Sequence, residues 1–102
     1  MGGLRLDLAV LGLGQDGHTA SLFPGDPALD ETERWVVRVE RPDHPRLTLT
    51  LPLLSSALIA MILVTGESKR DALRRLLARD DIPAARVRSN RVVVIADAAA
   101  AG

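Results

Sequence analysis

The chain has 102 residues, enough for one domain with a modest core, since a domain of this size buries roughly two-thirds of its unfolded surface. Thirteen basic and thirteen acidic side chains give a formal net charge of zero, so no global field favours nucleic acid or an anionic membrane, and any bound anion must be held by a local site. The absence of cysteine excludes disulfides, thiolate nucleophiles and Cys-based zinc sites, and fits a reducing cytoplasm, where the chain is expected to work.

The most apolar stretch, Leu51 to Val64, is interrupted by Pro52, Ser55 and Ser56 and falls short of the roughly 20 residues that span a bilayer, so it reads as buried core. MGGLRLD lacks the apolar region of a secretory signal because Asp7 interrupts it, and Leu6 stands where a myristoylation signal needs Ser or Thr. The basic residues include a single lysine, Lys69; the preference for arginine reads as genome composition, but Lys69 stands out as a singleton.

In chain order, Leu6 to Leu11 predicts a buried strand feeding a glycine-rich loop at Gly12. His18 to Phe23 has room for a turn or two of helix before Pro24-Gly25-Asp26-Pro27 stops it. Trp35 to Val39 and Leu47 to Leu51 predict two strands joined by a turn at Pro42-Asp43-His44-Pro45, with the Leu47, Leu49 and Leu51 face buried and Arg46, Thr48 and Thr50 on the other. Pro52 suits the start of a short helix over 52–58, and Ile59 to Val64 follows as a second buried strand. From Glu67 to Arg79, Ala72, Leu73, Leu76 and Leu77 recur at helical spacing, with Arg70, Arg74, Arg75 and Arg79 on a solvated face. Asp80, Asp81 and Pro83 end that helix, Ser89-Asn90 turns, and Val92 to Ala96 forms a last strand before an alanine tail. Strands alternating with helices predict a Rossmann-like α/β fold with a mostly parallel sheet and a hairpin insertion at 35–51. The helices are too few to cover both faces of such a sheet, so apolar surface should remain bare.

Gly12-Leu13-Gly14-Gln15-Asp16-Gly17 matches the G-x-G-x-x-G dinucleotide pattern after a strand, and Glu40 lies near the position of a ribose-binding acid. Two features oppose a nucleotide. Pro24, Gly25 and Pro27 occupy the space of the crossover helix, and Asp16 would set a carboxylate against the pyrophosphate. The alternative is that the loop carries side-chain chemistry: Asp16 and His18 project from it, imidazole is matched to proton transfer near neutral pH, and a nearby carboxylate can orient the ring. His44 reads as a turn residue, and no spacing joins it to Asp16 and His18 as metal ligands, so no metal is expected.

The longer string Leu8-Ala-Val-Leu-Gly-Leu-Gly-Gln-Asp-Gly-His-Thr-Ala-Ser-Leu-Phe-Pro24 resembles the signature of the 6-phosphogluconolactonases, in a superfamily shared with the glucosamine-6-phosphate deaminases. Trp35-Val36-Val37, Pro45 to Pro52, Val64-Thr65-Gly66 through Lys69, Pro83-Ala84 and Asp97-Ala98 resemble the same family in order and spacing, so the likeness covers essentially the whole chain. The deaminases typically read DGHIAFNEP, with a glutamate before the proline; here Phe23 stands there and can neither move protons nor hold an imidazolium.

The resemblance implies hydrolysis of 6-phosphoglucono-δ-lactone to 6-phosphogluconate, in the oxidative pentose phosphate pathway, with His18 as general base supported by Asp16. Lys69, at a helix N-terminus that can itself favour an anion, would contact the sugar phosphate, with Arg46, Gly14 and Gly17 as further substrate-binding positions. No cofactor is implied, and the expected partner is a small sugar-phosphate lactone. The family is longer than this chain, and its amino-terminal half carries a Ser/Gly-rich phosphate loop not found here; Gly2-Gly3 precedes the first strand and has no following helix to bind an anion. Residues 1–102 are therefore expected to be the carboxyl-terminal part of a single domain, missing its amino-terminal half. Alternatives are a deaminase-like enzyme or a non-catalytic sugar-phosphate-binding remnant. Oligomeric state is not legible.

Overall fold

The computed structural model describes residues 5–102; the Gly2-Gly3 reading lies outside the described residues. Three parallel strands form the main sheet: β1 (Leu8–Leu11), β4 (Ile59–Val64) and β5 (Arg91–Ala96), in the order β1-β4-β5. β4 is central, as its six consecutive apolar residues require: Leu8 to Leu11 pair with Ile59 to Ile62 on one side, and Arg91 to Ala96 pair with Ile59 to Val64 on the other. The remaining strands, β2 (Val36–Val39) and β3 (Arg46–Leu49), make a separate antiparallel hairpin, with Val36 opposite Leu49 and Val39 opposite Arg46. The mostly parallel α/β fold with a hairpin insertion is thus present.

The pleat divides the main sheet sharply. Ala9, Leu11, Ala60, Ile62 and Val64 join Ala72, Leu73 and Leu76 of helix α2 (Arg70–Leu77) in one buried cluster. On the other face Leu8 is 51% and Val10 57% exposed, with Leu63 and Ile95 also open. One layer of helix covers one face of the sheet, and among the described residues nothing covers the other.

Several elements differ from their predicted form. No helix forms over 18–23. Instead, Thr19 and Leu22 bridge across a tight turn in which Ala20 takes a left-handed φ of 52°, and this turn drives Leu22 and Phe23 into the core. Helix α1 (Leu51–Ser55) starts one residue before Pro52 and stops early, its end closed by the Ser56 amide donating to carbonyls of the preceding turn. The predicted 67–79 helix is split: a 3-10 turn over Glu67–Lys69 leads into α2, and Leu77 is 65% exposed despite its periodic position.

α2 also ends by a different device. The Arg79 amide donates to the Leu76 carbonyl, the Asp80 amide to the Arg75 carbonyl, and Arg79 holds a left-handed φ of 58°. This is a Schellman cap with arginine where glycine is the usual residue. Arg79→Gly is accordingly expected to raise stability by about 0.5–1 kcal/mol, the left-handed cost relieved less the added chain entropy, read as a higher urea midpoint at constant slope.

The hairpin is inverted relative to the sequence reading. Leu47 is 74% exposed and Leu49 is open, while Thr48 and Thr50 are almost fully buried. Burying the threonines costs little because each hydroxyl is satisfied. Thr50 Oγ1 donates to the Arg34 carbonyl (2.6 Å); Thr48 Oγ1 donates to the Leu49 carbonyl (2.9 Å) and accepts from the Ser21 amide (3.0 Å). The last bond ties β3 to the turn after the glycine loop. It also turns Arg46, on the same face as Thr48, inward.

Candidate active site

Because β1, β4 and β5 are parallel, the segments after their carboxyl ends meet at one edge of the sheet: the 12–18 loop after β1, the Gly66–Lys69 turn after β4, and Asp97 after β5. The first two are joined by Lys69 Nζ, which donates to the Leu13 carbonyl at 2.6 Å. The second and third are joined by the Asp97 carboxylate, which accepts from the Gly66 amide (3.2 Å) while capping helix α3 (Ala98–Ala101) at Ala100 (2.8 Å). An open pocket of about 360 Å³ lies there, lined by Gly12, Leu13, Gly14, His18, Thr19, Ala20 and Lys69.

The loop is built to present one imidazole. The Gly14 amide donates to the His18 carbonyl (2.8 Å), the Gly17 amide to the Gly14 carbonyl (3.0 Å), and Thr19 Oγ1 to the Gly12 carbonyl (2.8 Å). Asp16 then grips His18 twice, accepting from its backbone amide at 3.0 Å and lying 2.6 Å from ring Nδ1. Partial burial opposes the Asp16 charge, but the His18 amide bond, the ring bond and the attraction between the two groups outweigh it, holding the carboxyl below its usual range. An ionised carboxylate only accepts, so Nδ1 carries the proton. In the neutral ring Nε2 is then the basic nitrogen, and no described residue occupies it.

A carboxyl whose folded-state pKa is depressed adds stability that is complete above the unfolded carboxylate range and is lost as pH falls through the folded value. Asp16 should therefore stay ionised, and the ring oriented, across the neutral range. A carboxyl ¹³C titration is expected to place Asp16 below an unstructured aspartate; a midpoint at or above that reference would remove this support for the ring.

Of the other residues expected at the substrate, Gly14 lines the pocket and lies directly under the imidazole, where an added Cβ would approach Nδ1 and Cε1 to 2.1 Å. Gly17 faces away. Its φ of 90° and its packing on Ile82 make it part of the scaffold, with its carbonyl accepting from the Ala84 amide at 3.0 Å. Arg46 does not line the pocket; it pairs with Asp43 (2.8 Å), and its buried Nε has no acceptor among the described residues. Glu40, the candidate ribose acid, is exposed and paired with Arg38. His44 is a turn residue beside Asp43, and no group of three His, Cys, Asp or Glu side chains that could hold a metal occurs among the described residues.

Two residues near His18 carry no sign in the sequence of belonging to the site. The Phe23 ring lies 4.5 Å from the His18 ring, centroid to centroid, and the Arg41 guanidinium stands 3.9 Å from the Phe23 centroid, with that of Arg46 at 5.4 Å. In the sequence Phe23 serves only to distinguish two families, and nothing around Arg41 marks it.

A parallel α/β sheet with a carboxylate-held imidazole and an ammonium sharing one pocket at its carboxyl edge defines an α/β protein with a candidate acid–base site. The family model for glucosamine-6-phosphate isomerases/6-phosphogluconolactonase matches residues 2–95, and the chain belongs to that family. It is 46% identical over 82 residues to probable 6-phosphogluconolactonase 1 of Arabidopsis thaliana, covering 78% of this chain and 30% of that protein. The crystal structure of 6-phosphogluconolactonase from Thermotoga maritima superposes with a TM-score of 0.78 at 33% identity, over 90% of this chain and 43% of that one. A monomeric glucosamine-6-phosphate deaminase superposes with a TM-score of 0.76 at 27% identity, over 93% of this chain and 46% of that one, so the fold is common to both activities. The chain spans about a third of the length of the curated relatives it matches.

Proposed function

We propose that this chain carries the base of a 6-phosphogluconolactonase, and the observation that carries the reading is a His18 ring that lines the pocket, held at Nδ1 by Asp16, with Nε2 unbonded among the described residues. Nε2 takes a proton from a water as the water oxygen bonds to the ring carbonyl carbon of 6-phosphoglucono-δ-lactone. The bond from that carbon to the ring oxygen breaks, and the proton passes to the departing oxygen, which becomes the free hydroxyl of 6-phosphogluconate. Asp16 keeps the ring in the right tautomer and offsets the imidazolium charge at the moment it forms.

Lys69 spends one of its three N–H donors on the Leu13 carbonyl, which leaves two for a phosphate in the same pocket. Loss of such a charged hydrogen bond is worth roughly 1.5–3 kcal/mol, so Lys69→Met is expected to raise KM for the phosphorylated lactone by about 10- to 100-fold. Hydrolysis of unphosphorylated glucono-δ-lactone should be unchanged. Equal losses with both substrates would show that Lys69 serves only to strut the loop.

Phe23 favours the lactonase over the deaminase, since no carboxylate stands beside the imidazole at that position to complete a proton relay. The bare sheet face and the share of the relatives that is matched favour a further statement: residues 1–102 form the carboxyl-terminal part of a single larger domain. The same two observations support a second reading, in which this polypeptide by itself binds a sugar phosphate without turning it over. Three measurements separate these readings: lactone hydrolysis in excess of the spontaneous rate, ammonia release from glucosamine 6-phosphate, and 6-phosphogluconate binding by calorimetry. Excess hydrolysis without ammonia is the expected result. Ammonia release without hydrolysis would reverse the assignment, and binding without either reaction would select the second reading.

A further inference from the structure

The His18 ring is held by more than Asp16. Its Nδ1 edge is bonded to Asp16 at 2.6 Å, and it packs so closely on the Gly14 Cα that no side chain fits there. It also lies against the Phe23 ring at 4.5 Å with the planes inclined by 33°. Phe23 is 6% exposed and packs in the core cluster with Leu22, so it can act as a wall against the imidazole. The Arg41 guanidinium, 3.9 Å from the Phe23 centroid, stands at the distance of a cation–π contact, while Arg46 is further off at 5.4 Å. Arg41 has no ion-pair or hydrogen-bond partner among its described neighbours, so the aromatic face is the contact that defines its position.

We propose that Phe23 is a positioning residue for His18, holding the imidazole plane so that the Asp16 bond stays on Nδ1 and Nε2 faces the pocket, and that Arg41 holds Phe23 in place through its ring. This rests on the lactonase reading for the task of His18, but not for the geometry of the ring. Rotation of an imidazole about its Cβ–Cγ bond would break the Asp16 bond and turn the basic nitrogen away from the substrate. A wall on the ring face blocks that rotation, which a single hydrogen bond at the ring edge does not.

The test uses the full chain labelled with ¹⁵N-histidine, with exposed His44 changed to Gln so that only His18 reports. In the parent chain with its ring neutral, Nδ1 should read as protonated and Nε2 as unprotonated, with the ring protons displaced by the neighbouring aromatic current. Phe23→Leu should erase that displacement and bring both nitrogens toward the averaged values of a free ring, whereas Phe23→Tyr should restore the parent pattern. Arg41→Met, at a partly exposed site that does not threaten folding, should shift the same signals in the same direction by a smaller amount. In the lactone assay, Phe23→Leu should lower kcat about tenfold or more with KM little changed, the signature of a displaced catalytic group. Nitrogen shifts of His18 that stay at their parent values in Arg41→Met and in Phe23→Leu would overturn the proposal, and if Phe23→Leu fails to fold, Arg41→Met alone decides. A parent chain without lactonase activity would count against the function, leaving the nitrogen shifts to decide this inference separately.

Discussion

Replacing His18 with alanine is expected to lower catalysed hydrolysis of 6-phosphoglucono-δ-lactone by about 10² to 10⁴-fold, the usual worth of a positioned general base. The loss should fall on kcat, because in the proposed mechanism the imidazole acts on the attacking water and Lys69 takes the phosphate. His18→Gln is the sharper comparison, since it keeps a polar side chain in the loop but cannot take the proton. Asp16→Asn should produce a smaller loss. An amide in place of the carboxylate still fills the 2.6 Å position, yet it no longer fixes the proton on Nδ1 or offsets the imidazolium. A His18→Ala enzyme with near-parent kcat would leave the loop without its chemical role.

The largest effect on stability is expected at Gly17. Its φ of 90° is a conformation that L-residues avoid, and an added Cβ would lie 2.6 Å from Ile82 Cβ, which the backbone fixes, and 2.8 Å from its Cγ2. A left-handed conformation costs roughly 1–2 kcal/mol and overpacking a further 1–3, so Gly17→Ala should destabilise by about 2–5 kcal/mol. Against a usual total of about 5–15 kcal/mol for a domain, that is enough to unfold a measurable share of the chain. Urea unfolding followed by tryptophan fluorescence of Trp35 reads it as a lower midpoint. Pairing it with Ile82→Ala removes the Cγ2 and Cδ1 contacts but keeps the Cβ at 2.6 Å and leaves φ unchanged, so the double variant should recover only a part of the packing cost.

Much of the framework was legible because it rests on patterns that local physics imposes. Six consecutive apolar residues at Ile59 to Val64 mark a strand buried by neighbours on both sides, and β4 is the central strand of the sheet. The spacing of Ala72, Leu73 and Leu76 marks the covered side of α2. The loop glycines, with prolines close behind, place His18 at a strand end without a crossover helix. The hairpin was misread because alternation alone does not say which face is inside. Leucines normally choose the core, but here the hydroxyls of Thr48 and Thr50 find partners in Ser21, Leu49 and Arg34 that only the folded chain brings near. The contact of Phe23 with His18 depends on the left-handed turn at Ala20, in a segment where the sequence leaves room for a turn or two of helix. Lys69 was legible as a singleton near an anion-favouring turn, but its bond to Leu13, 56 positions away in sequence, follows only from the parallel pairing of β1 with β4.

That pairing also explains how a short piece of chain can hold so much of a site. The loop, the lysine turn and Asp97 all follow carboxyl ends of adjacent parallel strands, so three local decisions converge without a long-range sequence signal. The exposed Leu8, Val10, Leu63 and Ile95 on the other face are the complement: a parallel sheet calls for cover on both sides, and only one is present among the described residues.

The most direct measurement is the initial rate of acid release from 6-phosphoglucono-δ-lactone, taken for the parent chain and for His18→Ala side by side, each corrected for the spontaneous reaction. The expected result is an excess rate in the parent that disappears in the variant, with circular dichroism showing both folded. An excess of equal size in the two would contradict the role of His18 as the base.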